Sequence, residues 1–96
     1  MLSSKQRASL RSMSNSMETI MQVGKSGIGS ELIVSVDHAL EARELIKMSV
    51  LETAPLDART AACALAEELG ADVVSVVGRR FVLYRESKKK KRIVLA

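Results

Sequence analysis

The chain reads as an α/β domain, a two-layer αβαβαββ arrangement built on a four-stranded mixed sheet. Three observations carry that expectation. Amphipathic helical stretches alternate with short apolar runs from one end of the chain to the other. Each helix is followed by a run of strand length, which favours parallel pairing of the first three strands through helical crossovers. The last two runs, "DVVSVVG" and "RFVLYRES", are separated only by Gly78-Arg79, a hairpin turn that makes the final strand antiparallel to the third. With 96 residues, no repeat and no internal linker, residues 1–96 form one domain with a modest core.

Each element has its own signal. Ser3 with Gln6 forms a capping box for a first helix, with Leu2 placed as a staple and Leu10, Met13 and Met17 at helical spacing. Arg7 and Arg11 share an exposed face of it, and Ser14-Asn15-Ser16 ends it by competing for backbone hydrogen bonds. "TIMQVG" is a short strand. A second helix runs from Ser30 to about Arg43, capped by Gly29 or Ser30. Its apolar stripe is Leu32, Ile33, Val36, Ala39 and Leu40, with Glu31, Asp37, Glu41 and Arg43 pointing away. "ELIKMSVLE" is the second strand. Pro55 breaks the path to a third helix from about Asp57 to Leu69, with Gly70 as its C-cap. That helix packs through Ala58, Ala61, Ala62, Leu65 and Leu69, so it lies close to its sheet. A basic tail begins at about residue 87, and the final "IVLA" either adds an edge strand or frays.

Charge is distributed unevenly. Residues 1–30 carry net +3, residues 31–78 net −6 and residues 79–96 net +7. If the two positive ends meet in space they form a basic face, the footprint of a polyanion binder. The competing reading of Lys88, Lys89, Lys90, Lys91 and Arg92 is a solvated tail. Phe81 and Tyr84 are the only aromatics, which limits any mechanism based on base stacking. Cys63, without a second cysteine, cannot form an internal disulfide and is expected to be a buried structural thiol. No run approaches the roughly 18–20 apolar residues of a membrane span. The N-terminus lacks the apolar core of a secretory signal. Its Ser- and Arg-rich character also suits a transit peptide, but the helical pattern accounts for the same residues. A mature cytoplasmic protein is expected.

"MQVGKSGIGSEL" resembles part of a nucleotide-binding loop. A Walker-type loop needs glycine five residues before the Gly-Lys-Ser, and Thr19 stands there, so nucleotide hydrolysis fails on spacing. What remains is Gly-x-x-Gly between a strand and a helix. Gly24 and Gly27 allow a sharp turn, the following helix presents its first amides, Lys25 adds a charge and Ser26 a hydroxyl. KH domains clamp a nucleic-acid backbone with a loop of this kind. The same spacing also serves as an ordinary turn. Lys5, Arg7, Arg11, Arg79 and Arg80 are the charges that would flank it.

"LSSKQRASLRSMS", "VGKSGIG", "ALEARELIKMSV" and "VVGRRFVLYRES" together closely resemble the bacterial YhbY-type proteins with a single CRM (chloroplast RNA splicing and ribosome maturation) domain. The match spans nearly the whole chain in order. The resemblance implies a fold similar to the C-terminal domain of bacterial translation initiation factor three, with a KH-like loop. It also implies RNA binding without catalysis, in association with precursors of the large ribosomal subunit. It places the loop on Gly24, Lys25, Ser26 and Gly27, the basic first helix on Lys5, Arg7 and Arg11, and the end of the last strand on Leu83, Tyr84 and Arg85. Relatives of this type often carry threonine or a similar cap after the loop, where this chain has Gly29.

Other sites weigh little. His38 has no cysteine, aspartate or second histidine at metal spacing, and Asp37 with Glu41 on a polar helix face reads as solvated charge rather than an acid–base pair. One histidine leaves Ser26 without a triad. Tyr84 is read as core rather than a stacking residue, and Lys47 either reaches a surface at a strand end or solubilises a strand edge. The expectation is a monomeric, cofactor-free, non-enzymatic protein that binds ribosomal RNA in pre-large-subunit particles, with no membrane role. Gly24–Gly27, Lys5, Arg7, Arg11, Arg79, Arg80, Arg85 and the Lys88–Arg92 run form its footprint. The alternative is a protein-interaction adaptor that works through the acidic second helix.

Overall fold

The computed structural model describes residues 2–89 and residue 93. The elements are α1 (Ser4–Ser14), β1 (Met21–Val23), α2 (Ser30–Arg43), β2 (Leu45–Val50), α3 (Ala58–Leu69), β3 (Asp72–Val77) and β4 (Arg80–Tyr84). Helix starts follow their local chemistry. Ser3 Oγ accepts from the Gln6 amide at 3.1 Å while Gln6 Oε1 accepts from the Ser3 amide at 3.0 Å, closing the capping box. Asp57 Oδ1 accepts from the Thr60 amide at 2.8 Å and starts α3. These Thr60 hydrogen bonds hold the Asp57 carboxyl below its ordinary range. Gly70, left-handed at φ +65°, ends α3, and the Ala71 amide returns to the Ala66 carbonyl.

The sheet order is β1-β2-β4-β3. Among the described residues only β1 and β2 pair in parallel; β4 lies antiparallel between β2 and β3. The expected parallel pairing of β3 is therefore corrected. β3 runs in the same direction as β1 and β2 but is separated from β2 by one strand. The cause lies in β4, whose Phe81, Val82, Leu83 and Tyr84 are all buried. A strand apolar on both faces is stable in the middle of a sheet, with ladder partners on both sides. A bulge between Val73 and Ser75 adjusts the β3 register.

The two layers become three. Ile46, Met48, Val50, Phe81 and Leu83 face α2 and α3, forming the larger core with Val36, Leu40, Ala61, Ala62 and Leu65. On the opposite face Leu45, Val74, Val82 and Tyr84 pack against Leu10 of α1, with Leu2 and Met17 at the margin. Tyr84 is core, as expected, and burial first, then the charge of Glu44, pushes its phenol above the ordinary value. Met13, expected on the inner stripe of α1, is exposed, since the buried face of the helix runs from Leu10 to Ser14, one turn on, and Met13 lies beside it. Cys63 is also exposed, against expectation. The inner face of α3 follows Ala58, Ala61, Ala62, Leu65 and Ala66, and Cys63 lies on the solvent side of that stripe.

The least expected residue is Glu44. It alone joins α2 to β2, adopts φ +65° and is fully buried. Its carboxylate accepts the Ser87 amide at 2.7 Å and the Ile93 amide at 2.6 Å. The chain after β4 is thus anchored at the end of the sheet where β2 begins. Among the described residues, no helix is long and apolar enough to cross a membrane.

Candidate nucleic-acid interface

β1, β2 and β3 all finish at the other end of the sheet. There the 24–29 loop, the 51–57 segment and the Gly78-Arg79 turn lie together, since Leu51 donates to the Val23 carbonyl at 2.9 Å and Val50 to the Arg79 carbonyl at 2.7 Å. The Gly27 amide donates to the Gly24 carbonyl at 2.9 Å, closing a turn whose tip is Lys25 and Ser26, both exposed. Gly27 has φ +69°, and a Cβ there would sit 3.1 Å from Pro55 Cγ. Both its conformation and its packing therefore require glycine. At Gly24 a Cβ would meet Leu51 Cδ1 at an ordinary 3.7 Å. The two glycines are not equivalent.

Gly29 is the N-cap of α2, without a side-chain cap, so the first amides of that helix remain open to an external acceptor. Glu31 in the first turn opposes an anion there, which makes the helix end a weak site by itself. Lys25 supplies the stronger attraction, with no ion pair among the described residues. Arg79 is bound to Glu52 at 3.0 Å, but the two side chains are 60% and 79% exposed, so the pair is weak and easily exchanged for a phosphate.

The remaining cations divide. Arg11 and Arg80 are exposed and border one groove of about 200 Å³ with Lys47. Lys5 is exposed, whereas Arg7 is half-buried and its Nε donates to the Val73 carbonyl at 3.3 Å. The register places Arg80 opposite Ser49 and Tyr84 opposite Leu45, so Arg79 and Arg80 lie near the loops, while Arg85 and the Ser87–Lys89 segment, bonded to Asp37, Glu41 and Glu44, lie at the far end. The expected single basic face is therefore split.

Arg85 is the clearest correction. Its side chain is 12% exposed, with Nη1 2.6 Å from Asp37 Oδ1 and 3.2 Å from the Leu69 carbonyl, and Nη2 3.0 Å from the Asp37 carbonyl. This guanidinium is committed inside the protein. Asp37 and Glu41 are correspondingly engaged in structural contacts, although both side chains remain partly exposed, at 48% and 30%. Glu41 accepts from the Ser87 hydroxyl and from the amides of Lys88 and Lys89 at 3.2 and 3.3 Å. The Ser87 bond, then the Lys88 amide, holds its carboxyl below the ordinary value. Lys88 and Lys89 keep exposed side chains. Lys90, Lys91 and Arg92 lie outside the described residues.

Lys47 is the residue whose place was left open. It is not on a sheet edge, because β2 is flanked by β1 and β4, and its Nζ donates to the Ser14 carbonyl at 3.4 Å. Gln22, Ser49 and Ser75 accompany it on the α1 side of the sheet and line the same system of grooves. Their signal was in the chain: polar residues at alternate positions of otherwise apolar strands mark an uncovered face. No group of residues suited to holding a metal ion occurs among the described residues.

The chain matches the CRS1 / YhbY (CRM) domain over residues 2–85. It belongs to the CRS1/YhbY (CRM) domain family. It is 43% identical over 95 residues to the probable RNA-binding protein YqeI of Bacillus subtilis, covering 99% of both chains. It is 38% identical over 86 residues to the probable RNA-binding protein MJ0652 of Methanocaldococcus jannaschii, covering 88% of this chain and 63% of that one. The solution structure of SAV1595 from Staphylococcus aureus superimposes with a TM-score of 0.82 at 42% identity, covering all of both chains. In this CRM domain the groove of Arg11, Lys47 and Arg80 runs from mid-sheet at Lys47 to Arg80 at the loop end, and Arg85 follows β4 at the opposite end.

Proposed function

We propose that this CRM-domain protein is a non-catalytic RNA-binding protein that docks on precursor large-subunit ribosomal RNA during ribosome assembly in the cytoplasm. The observation that carries the RNA reading is a set of exposed cations without ion pairs among the described residues: Lys25 at the tip of a glycine turn that precedes an uncapped helix start, and Arg11 and Arg80 on the rims of a groove floored by Lys47. The naming of its relatives as RNA-binding proteins supports the same reading. The ribosomal target rests on the resemblance to the YhbY-type proteins. Recognition runs through backbone and shape, since Phe81 and Tyr84 are both buried and offer no stacking platform. The adaptor reading is less well supported, because Asp37 and Glu41 of α2 are engaged by Arg85 and the Ser87–Lys89 segment, which leaves Glu31 as the exposed acid of that helix.

In-cell crosslinking with sequencing of the attached RNA, comparing wild type with Lys25→Glu, tests both levels. A focused peak on precursor large-subunit RNA that disappears in the variant is expected, with an unchanged melting temperature. Scattered RNA in both proteins would remove the ribosomal target, and absence of RNA in both would remove RNA binding.

A further inference from the structure

α1 covers only part of its sheet face. Beyond Leu10 the groove between the C-terminal end of α1 and the sheet is lined by Arg11, Lys47 and Arg80, with Ser14, Asn15 and Ser75 as polar neighbours and no acidic residue among its walls. Among the described residues these cations form no ion pair. Lys47 forms the floor. Its stem is half-buried in a central strand, and its ammonium, which can donate three hydrogen bonds, has one acceptor, the Ser14 carbonyl at 3.4 Å. The carbonyl end of α1 adds partial negative charge, but a half charge at most against full positive charges. The groove therefore attracts anions.

Its size and walls restrict which ones. About 200 Å³ is below the roughly 300–1,000 Å³ of pockets for drug-sized ligands, and no aromatic side chain lines it. A phosphate group fits, whereas a stacked base would have no partner. Through Val77 and Arg80 the groove opens into a wider trough of about 760 Å³, bordered by Gln22 and Ser49 and reaching Arg79. A strand seated on Lys47 thus has an open surface onward to the loop end, where Gln22, Ser49 and Arg79 alternate with Leu51 and Val77 and the acid there, Glu52, is paired with Arg79. None of Gly24, Lys25, Ser26 or Gly27 lines either groove.

We infer that the groove of Arg11, Lys47 and Arg80 seats a phosphodiester of an RNA strand, as a backbone contact separate from the GKSG turn. This rests on the RNA-binding reading above. Lys47 holds the phosphate from the floor, and Arg11 and Arg80 close on it from the rims.

The test measures the affinity of fluorescein-labelled single-stranded RNA of roughly 12 nucleotides, oligouridine and a mixed sequence, across a range of salt concentrations. Wild type is compared with Lys47→Gln, with the double variant Arg11→Gln/Arg80→Gln, with Lys25→Ala, and with Arg43→Gln as an exposed charge control outside the groove. Both groove variants should weaken the two RNAs equally and lower the slope of log affinity against log salt by about 0.7 per cation removed. Lys25→Ala should lower the slope independently, and Arg43→Gln should leave it unchanged. Arg11 and Arg80 are exposed, so the double variant keeps its fold and decides the matter if Lys47→Gln unfolds. A wild-type slope in the double variant, alongside a lowered slope in Lys25→Ala, would overturn the groove and leave RNA binding in place. Weakening of one sequence alone, with the slope unchanged, would overturn a phosphate contact in favour of a base contact. Failure of wild type to bind either RNA would overturn the RNA reading and the groove with it.

Discussion

At the end of the sheet where β1, β2 and β3 finish, Lys25, Arg11 and Arg80 stand exposed with no ion pair among the described residues. At the opposite end Arg85, five residues beyond Arg80 along β4, is enclosed by Asp37 and the Leu69 carbonyl. Residue type is the same, yet the two arginines have opposite fates. The difference lies in α2, which with its C-cap brings Asp37, Glu41 and Glu44 to one end and gives the other a glycine N-cap. Positive charge becomes available for a polyanion at the loop end because the carboxylates there, Glu31 and Glu52, are exposed and leave Lys25, Arg11 and Arg80 unpaired among the described residues. Where the fold supplies carboxylates as partners, basic side chains and main-chain amides become part of the protein's own structure.

Four substitutions or titrations can break this contrast. Glu44→Ala should have the largest effect. It leaves the Ser87 and Ile93 amides without their acceptor, and the loss should be about 3 kcal/mol in urea unfolding. RNA affinity measured on the folded variant should stay at the wild-type value, because no group at the loop end is touched. A loss of affinity matching the loss of stability would mean that the two ends are not independent. Gly27→Ala should cost about 2 kcal/mol, from its left-handed backbone and the approach to Pro55. This variant should also weaken RNA binding, by displacing the Lys25 tip.

Acid should loosen both ends by different carboxyls. Hydrogen bonds lower the Glu41 carboxyl from 4.5 and the Asp57 carboxyl from 3.8. Around and below those values the unfolded chain binds more protons than the native one, so stability rises with pH there. Their contribution is complete above the ordinary carboxyl values and is lost as pH falls through the lowered ones. Glu41→Gln should flatten the acid limb of a stability–pH curve in part, leaving the share due to Asp57. An unchanged limb would detach the Ser87–Lys89 segment from Glu41. Gly24→Ala should have the smallest effect, within about 0.5 kcal/mol, because its Cβ would meet only Leu51 at van der Waals distance. A cost equal to that of Gly27→Ala would mean that the turn needs both glycines after all.

Local chemistry was legible in the chain wherever one short segment decides the outcome. The capping box of Ser3 and Gln6, the Gly70 cap, the turn at Gly78-Arg79 and the α2 stripe all appear where the sequence places them. They depend on hydrogen bonds and periodicity within a few residues. The Gly24–Gly27 turn was legible for the same reason, as was the burial of Tyr84 in a strand apolar on both faces.

Tertiary structure alone decided the rest. The insertion of β4 between β2 and β3 depends on which strand gains most from two neighbours, and the placement of α1 on the opposite face depends on which apolar patch α2 and α3 leave open. Lys47 became part of a cationic groove because α1 ends beside it at Ser14 and leaves Arg11 and Arg80 on the open rims, and Arg85 left the expected footprint because two carboxylates of α2 arrive beside it. Glu44 carried no signal at all, since a buried carboxylate is stable only when distant amides converge on it. Charge in a sequence can be counted, but its availability is set by burial and by partners that folding brings from 40 or more residues away.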